Sequence, residues 1–244
     1  MTTTTTKRSA PVVVIEQLRV LIVAGIATGV VLIGGGSRLA MLVLRLTSPD
    51  RAHGVTSDDG FIIGRVTLGG TYNLLQLGAA FGLIGAAAYR LVAPRLIGPG
   101  WLRRLTTGAA SGVVVGSMLL HSDGVDFTLL KPTWLAISTF IALPGLFGIV
   151  IGVAVDRCAQ PDSWAAAGRR RWAVPLLLMA CVPVTVVVIP VLAVGVAACV
   201  AARQSTHLTT IRASTIYGLG VRAGWLSIAV VGLVAVVHDV RAIA

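Results

Sequence analysis

The chain is short of acid: nine Asp and Glu stand against twenty Lys and Arg in 244 residues. None of the nine falls inside a long apolar run. Proton- and cation-coupled carriers place such a carboxylate at membrane depth, where it marks the ion path, so its absence weighs against that class. Cys158, Cys181 and Cys199 are too few and too scattered for a disulfide framework or a CxxC pair. On one continuous helix, Cys181 and Cys199 would stand about 27 Å apart, beyond the reach of a disulfide. No HExxH helix and no Ser/His/Asp order is present. Gly34, Gly35 and Gly36 lack the following Lys-Ser/Thr of a phosphate loop. The pattern offers no catalytic constellation, and the chain reads as a non-enzyme.

Charged residues of both signs make up 12% of the chain and apolar ones 56%. That balance cannot present an ordinary soluble surface and implies an integral membrane protein. At about 20 residues per span, one polytopic domain fills the length. The net charge of +11 lies scattered at the ends of apolar runs, without a long basic stretch interleaved with aromatics. It excludes a nucleic-acid reading and favours topogenic charge in contact with the anionic headgroups of the bilayer. Arg far exceeds Lys and Ala, Gly and Val are abundant, the composition of a bacterium with a GC-rich genome.

Residues 1–19 read as a disordered cytoplasmic tail and 20–244 as one membrane domain. Apolar runs at 20–44, 74–92, 105–120, 134–155, 173–202 and 216–237 predict an all-α protein of six transmembrane helices in three hairpins, 20–92, 105–155 and 173–238. The fifth run is long for one span, and its Pro183 and Pro190 predict a single tilted, kinked helix. Gly78, Gly82 and Ala86, then Gly108, Gly112 and Gly116, recur every fourth residue and predict faces where neighbouring backbones approach closely. With the N-terminus inside, twelve bases fall on inner segments and seven on outer ones. The positive-inside rule then places both termini in the cytoplasm, at the inner membrane.

Three weak echoes precede the even-numbered spans: FIIGRVT at 61–67, FTLLKPT at 127–133 and LTTIRAS at 208–214. A true repeat would set Arg65, Lys131 and Arg212 at equivalent outer helix ends, close enough to pair with Asp59 and Asp126, with Asp58 and Asp123 in the same outer polar set. Capping Ser or Thr and headgroup-facing bases are the simpler account of the echoes. Residues 46–72 are expected to form a small ordered extracytoplasmic cap. His53, His121 and His207, one per outer connection, are candidate zinc ligands because imidazole and carboxylate are ordinary Zn²⁺ donors. A plain solvated face is the alternative. These features suit a structural or sensory membrane component whose outer loops bind an ion, a lipid, a protein partner or a second copy of the chain. The alternative is a small transporter or channel for an anionic solute, with Arg38 and Asn73 as contacts. A membrane enzyme built on the outer Asp and His set comes third.

Overall fold

Glycine decides which helices of this chain touch. A computed structural model describes residues 9–49, 67–120, 131–204 and 215–243, and among them every regular element is helical. The first is a continuous rod, Ala10–Thr47, built of α1 (Ala10–Thr28), a π segment (Gly29–Gly35) and α2 (Gly36–Thr47). Pro11 lies in the first turn, where a missing amide leaves no bond unmade. Helix thus begins at Ala10 rather than at residue 20, and much of the expected tail is its first turns.

Next come α3 (Leu68–Val92), α4 (Gly100–Leu119) and α5 (Thr133–Cys158). The Thr67 hydroxyl caps α3 by accepting the Gly70 N–H at 3.1 Å. Thr133, its counterpart in the second echo, is instead the first residue of α5, and no side chain caps that helix. The chain closes with α6 (Arg170–Cys181), α7 (Thr185–Gln204) and α8 (Thr215–Ile243). Four stretches, the rod, Leu68–Arg95, α5 and Ile216–Ile243, are long and apolar enough to cross a membrane. The chain is a membrane protein by that measure.

The rod and α3 run antiparallel with their backbones in contact. A Cβ on Gly25 would come within 2.9 Å of the Gly82 carbonyl, and one on Gly78 within 2.7 Å of the Gly34 amide. The wider π turn lies at this crossing, where Gly29 and Gly34 present bare backbone to Gly78 and Leu75. A second glycine seam joins α4 to α5. There a Cβ on Gly112 would lie 2.9 Å from the Ile141 carbonyl, and one on Gly148 2.9 Å from the Gly108 Cα. With no water to expel inside a bilayer, such close van der Waals contact is the main force available to hold helices together.

The helix ends gather at two ends of the bundle. At the near end, where α1 begins, Val20 and Leu21 share a buried cluster with Tyr89, Ala93, Val155 and Cys158. Arg171 pairs with Glu16 at 2.8 Å, which brings the start of α6 there. Arg222 donates to the Arg95 carbonyl at 2.7 Å, and the Arg95 guanidinium lies 5.2 Å from the Tyr217 ring, so α8 also starts there. At the far end Leu44, Leu120, Ala136 and Val236 cluster, flanked by Val240 and Ile243. The Ser48 hydroxyl there accepts the Lys131 N–H at 3.0 Å.

Two expectations change on this geometry. The run 173–202 is not one kinked helix: α6 ends at Cys181, Val182–Val184 are non-helical, and α7 begins at Thr185. Pro183 sits in the break, whereas Pro190 stays inside α7. The chain then folds back. Val182, Val188, Ile189 and Leu192 all pack on the Ile22, Ile26, Ala79 and Leu83 cluster, and Val196 reaches the near-end cluster. Because α8 starts at the near end while α3 and α5 start at the far end, the third pair does not repeat the first two. The α1 residue Glu16 pairs with Arg171 at the near end, and Ile243 packs at the far-end cluster.

Candidate functional site

Three helix ends meet in the most connected polar cluster among the described residues. Tyr89 in the last turns of α3, Arg104 in the second turn of α4 and Asp156 near the end of α5 share one carboxylate oxygen. The Tyr89 hydroxyl donates to Asp156 Oδ2 at 3.0 Å. The Arg104 Nε donates to the same atom at 3.0 Å, and its Nη2 lies 2.9 Å from it. Gly152 makes room: a Cβ there would press on the Tyr89 ring at 2.8 Å and on the Arg104 side chain at 3.0 Å. The ion pair is roughly one third exposed on each side. Such a pair contributes only about 0.2–1 kcal/mol to stability. Its larger effect is to hold three helix ends in register.

Beside the network opens a cleft of about 280 Å³ lined by Tyr89, Arg90, Ala93, Gly100, Arg103 and Asp156. Arg103 uses its Nε on the Gly98 carbonyl at 2.9 Å, and its two terminal nitrogens make no further bond among the described residues. Arg90, half-buried, has no hydrogen-bond or ion-pair partner among them. The Asp156 charge is already met by Arg104, so the cleft presents a surplus of guanidinium donors.

A second polar feature lies deeper, at the break between α6 and α7. The Val184 N–H, freed where helix stops, donates to Gln76 Oε1 of α3 at 3.1 Å. The fully buried Thr185 hydroxyl donates to the Val182 carbonyl at 2.6 Å. Bare amides at this depth would each cost several kcal/mol. Gln76 and Thr185 satisfy part of that demand from side chains.

No protein-family model, curated protein or solved structure matches the chain. The site has to be read from its own chemistry.

Most sequence-derived candidates fall elsewhere. Asp58, Asp59, Arg65, Asp123, Asp126, Arg212, His53, His121 and His207 lie outside the described residues, as does most of the expected cap at 46–72. Lys131 is at the far end, where its Nζ donates to the Thr133 hydroxyl at 3.1 Å. Arg38 is half-buried on α2 with Nη1 4.0 Å from the Met41 sulfur, and Asn73 is exposed near the start of α3. Among the described residues no group of three His, Cys, Asp or Glu side chains converges. The Tyr89, Arg104 and Asp156 set was missed because each member ends or opens a different apolar run. Asp156 falls one residue beyond the run that closes at Val155, and hydropathy gives no sign that the three ends meet.

Proposed function

We propose that this chain is a non-enzymatic membrane component that crosses the bilayer five times, with α6 and α7 as a re-entrant hairpin and the near end as its working face. The observation that carries the reading is the gathering of helix starts and stops at two ends. The rod, α3, α4, α5 and α8 each run the length of the bundle, whereas α6 stops where Gln76 meets it and α7 turns back. Assigning each base to the helix end it adjoins in sequence places fourteen of the twenty Lys and Arg at the near end and five at the far end, with Arg38 between. This asymmetry is sharper than twelve against seven, and by the positive-inside rule it supports a cytoplasmic near end. A basic cytoplasmic face with a guanidinium-rich cleft suits docking to something anionic at the membrane surface. It needs no reaction.

Cysteine labelling of intact cells, in a background with Cys158, Cys181 and Cys199 replaced by Ser, tests this. A membrane-impermeant maleimide should label Lys131→Cys and Ala242→Cys from outside and leave Gln160→Cys untouched until the cells are permeabilised. Protection of Ala242→Cys together with Gln160→Cys would return both termini to one side and remove the five-crossing plan.

Transport of an anionic solute is the second reading, and the broken α6–α7 pair favours it. Discontinuous helices at membrane depth often frame a solute path. Flux of a small anion in proteoliposomes, abolished by Gln76→Leu, would move the chain to that class.

A further inference from the structure

We infer that the cleft between the ends of α3, α4 and α5 binds a phosphate group, that of an anionic phospholipid resting against the near end. The inference rests on the reading that this end faces a membrane surface, and it names the ligand class that the face would take. Two arginines supply the chemistry. Arg90 has no partner among the described residues, and both terminal nitrogens of Arg103 remain unbonded there. Each planar guanidinium can offer two parallel N–H bonds to a tetrahedral anion, a geometry that ammonium cannot reproduce. The acid in the lining does not cancel them, because Asp156 accepts from Tyr89 and Arg104 through Oδ2.

The surroundings select lipid over a free anion. Ala93 gives the cleft an apolar wall. Residues adjoining it in sequence, Leu91, Ile97 and Trp101, are exposed at 51%, 70% and 60%. Exposed leucine, isoleucine and tryptophan beside a cationic cleft match the level where headgroup meets acyl chain, and tryptophan is the residue typical of that level. A soluble phosphate would gain nothing from them. A phosphatidyl group would set its phosphate between the guanidiniums and its first carbons on the apolar rim.

The test uses the full chain purified in neutral phosphatidylcholine nanodiscs, with thermal unfolding and native mass spectrometry as parallel readouts. Phosphatidylglycerol should raise the melting temperature and remain bound to wild type. Arg90→Gln and Arg103→Gln should each weaken its retention by about tenfold, as expected when charge-assisted hydrogen bonds are lost. The control Arg241→Gln, at the far end, should retain it. Arg90→Lys keeps the charge and removes the fork, so intermediate retention supports bidentate capture even if the Gln variants unfold. Stabilisation by inorganic phosphate alone, lost in Arg90→Gln, keeps the phosphate site and assigns it to a soluble source. Equal retention of phosphatidylglycerol by wild type, Arg90→Gln and Arg103→Gln would overturn the site and leave only diffuse surface charge. The maleimide labelling of Gln160→Cys reports sidedness independently, so a binding cleft found on the outer face would remove the topology reading and leave this one standing.

Discussion

Gly82 shows how narrowly single positions are set. Any Cβ there would fall on the Gly25 carbonyl, and it would lie 2.9 Å from the Gly29 Cα. Both obstacles are backbone, which cannot swing away as a side chain would. Gly82→Ala should therefore push the rod from α3 and destabilise the protein by about 1–3 kcal/mol. Gly224→Ala on α8 meets open space and should be neutral or slightly stabilising, since alanine is the better helix former. Thermal unfolding of the two variants in detergent decides the matter: equal melting temperatures would mean that the glycine seam is not under compression. Their sequence settings do not distinguish the two glycines. Both lie in apolar helices with other small residues nearby, and only the partner helix makes one indispensable.

At the scale of the element, the break between α6 and α7 is where local rules and tertiary demand meet. Pro183 cannot donate a backbone hydrogen bond and disfavours helix in Val182 before it, so the interruption is written locally. Its direction is not. Gln76, on a helix more than a hundred residues away, accepts the Val184 N–H at 3.1 Å, and Thr185 closes the first turn of α7. Replacing Gln76 with Leu removes the acceptor but keeps much of the bulk. We expect a loss of about 1–3 kcal/mol, the cost of leaving a buried donor unsatisfied. A smaller loss of about 1 kcal/mol is expected for Thr185→Val. Hydrogen exchange at Val184 provides the direct check. If its amide exchanges no faster in Gln76→Leu than in the parent, that bond does not hold the hairpin.

For the whole molecule, the decisive quantity is the distribution of charge between the two ends. If α7 carried the chain to the far end, Arg203, Arg212 and Arg222 would adjoin that end and Arg241 the near one, a count of twelve against seven. With the fold-back, all three adjoin in sequence the helix ends at the near end and Arg241 the far one, fourteen against five. The two plans respond differently to one variant, Arg169, Arg170 and Arg171 all changed to Gln. Eleven bases against five remain in the five-crossing plan, so orientation should hold and the labelling pattern should match the parent. Nine against seven would remain with six crossings, and molecules of both orientations should then appear. Mixed labelling of Lys131→Cys in the triple variant would count against the fold-back.

What the sequence determined alone is what depends on composition and short-range pattern. Membrane residence follows from apolar content and most of the helices from the apolar runs, while glycines at four-residue spacing only nominate close-packing faces: Gly78 and Gly82 or Gly108 and Gly112 meet a neighbouring backbone, and Gly220 and Gly224 meet nothing. Composition and spacing belong to a segment wherever its neighbours lie. Tertiary structure decided three things that no segment contains. It showed that α7 returns to the near end, because the cluster of Ile22, Ile26, Ala79 and Leu83 offers apolar surface on the way back. It placed the start of α8 beside Arg95 and its end at the far-end cluster. It also brought Tyr89, Arg104 and Asp156 onto one oxygen across 52 and 67 residues of chain. Each depends on contacts between distant parts of the chain, whose strength lies in geometry rather than in residue type. An arginine at the end of an apolar run reads the same whether it faces headgroups alone or meets an aspartate from a helix two elements away.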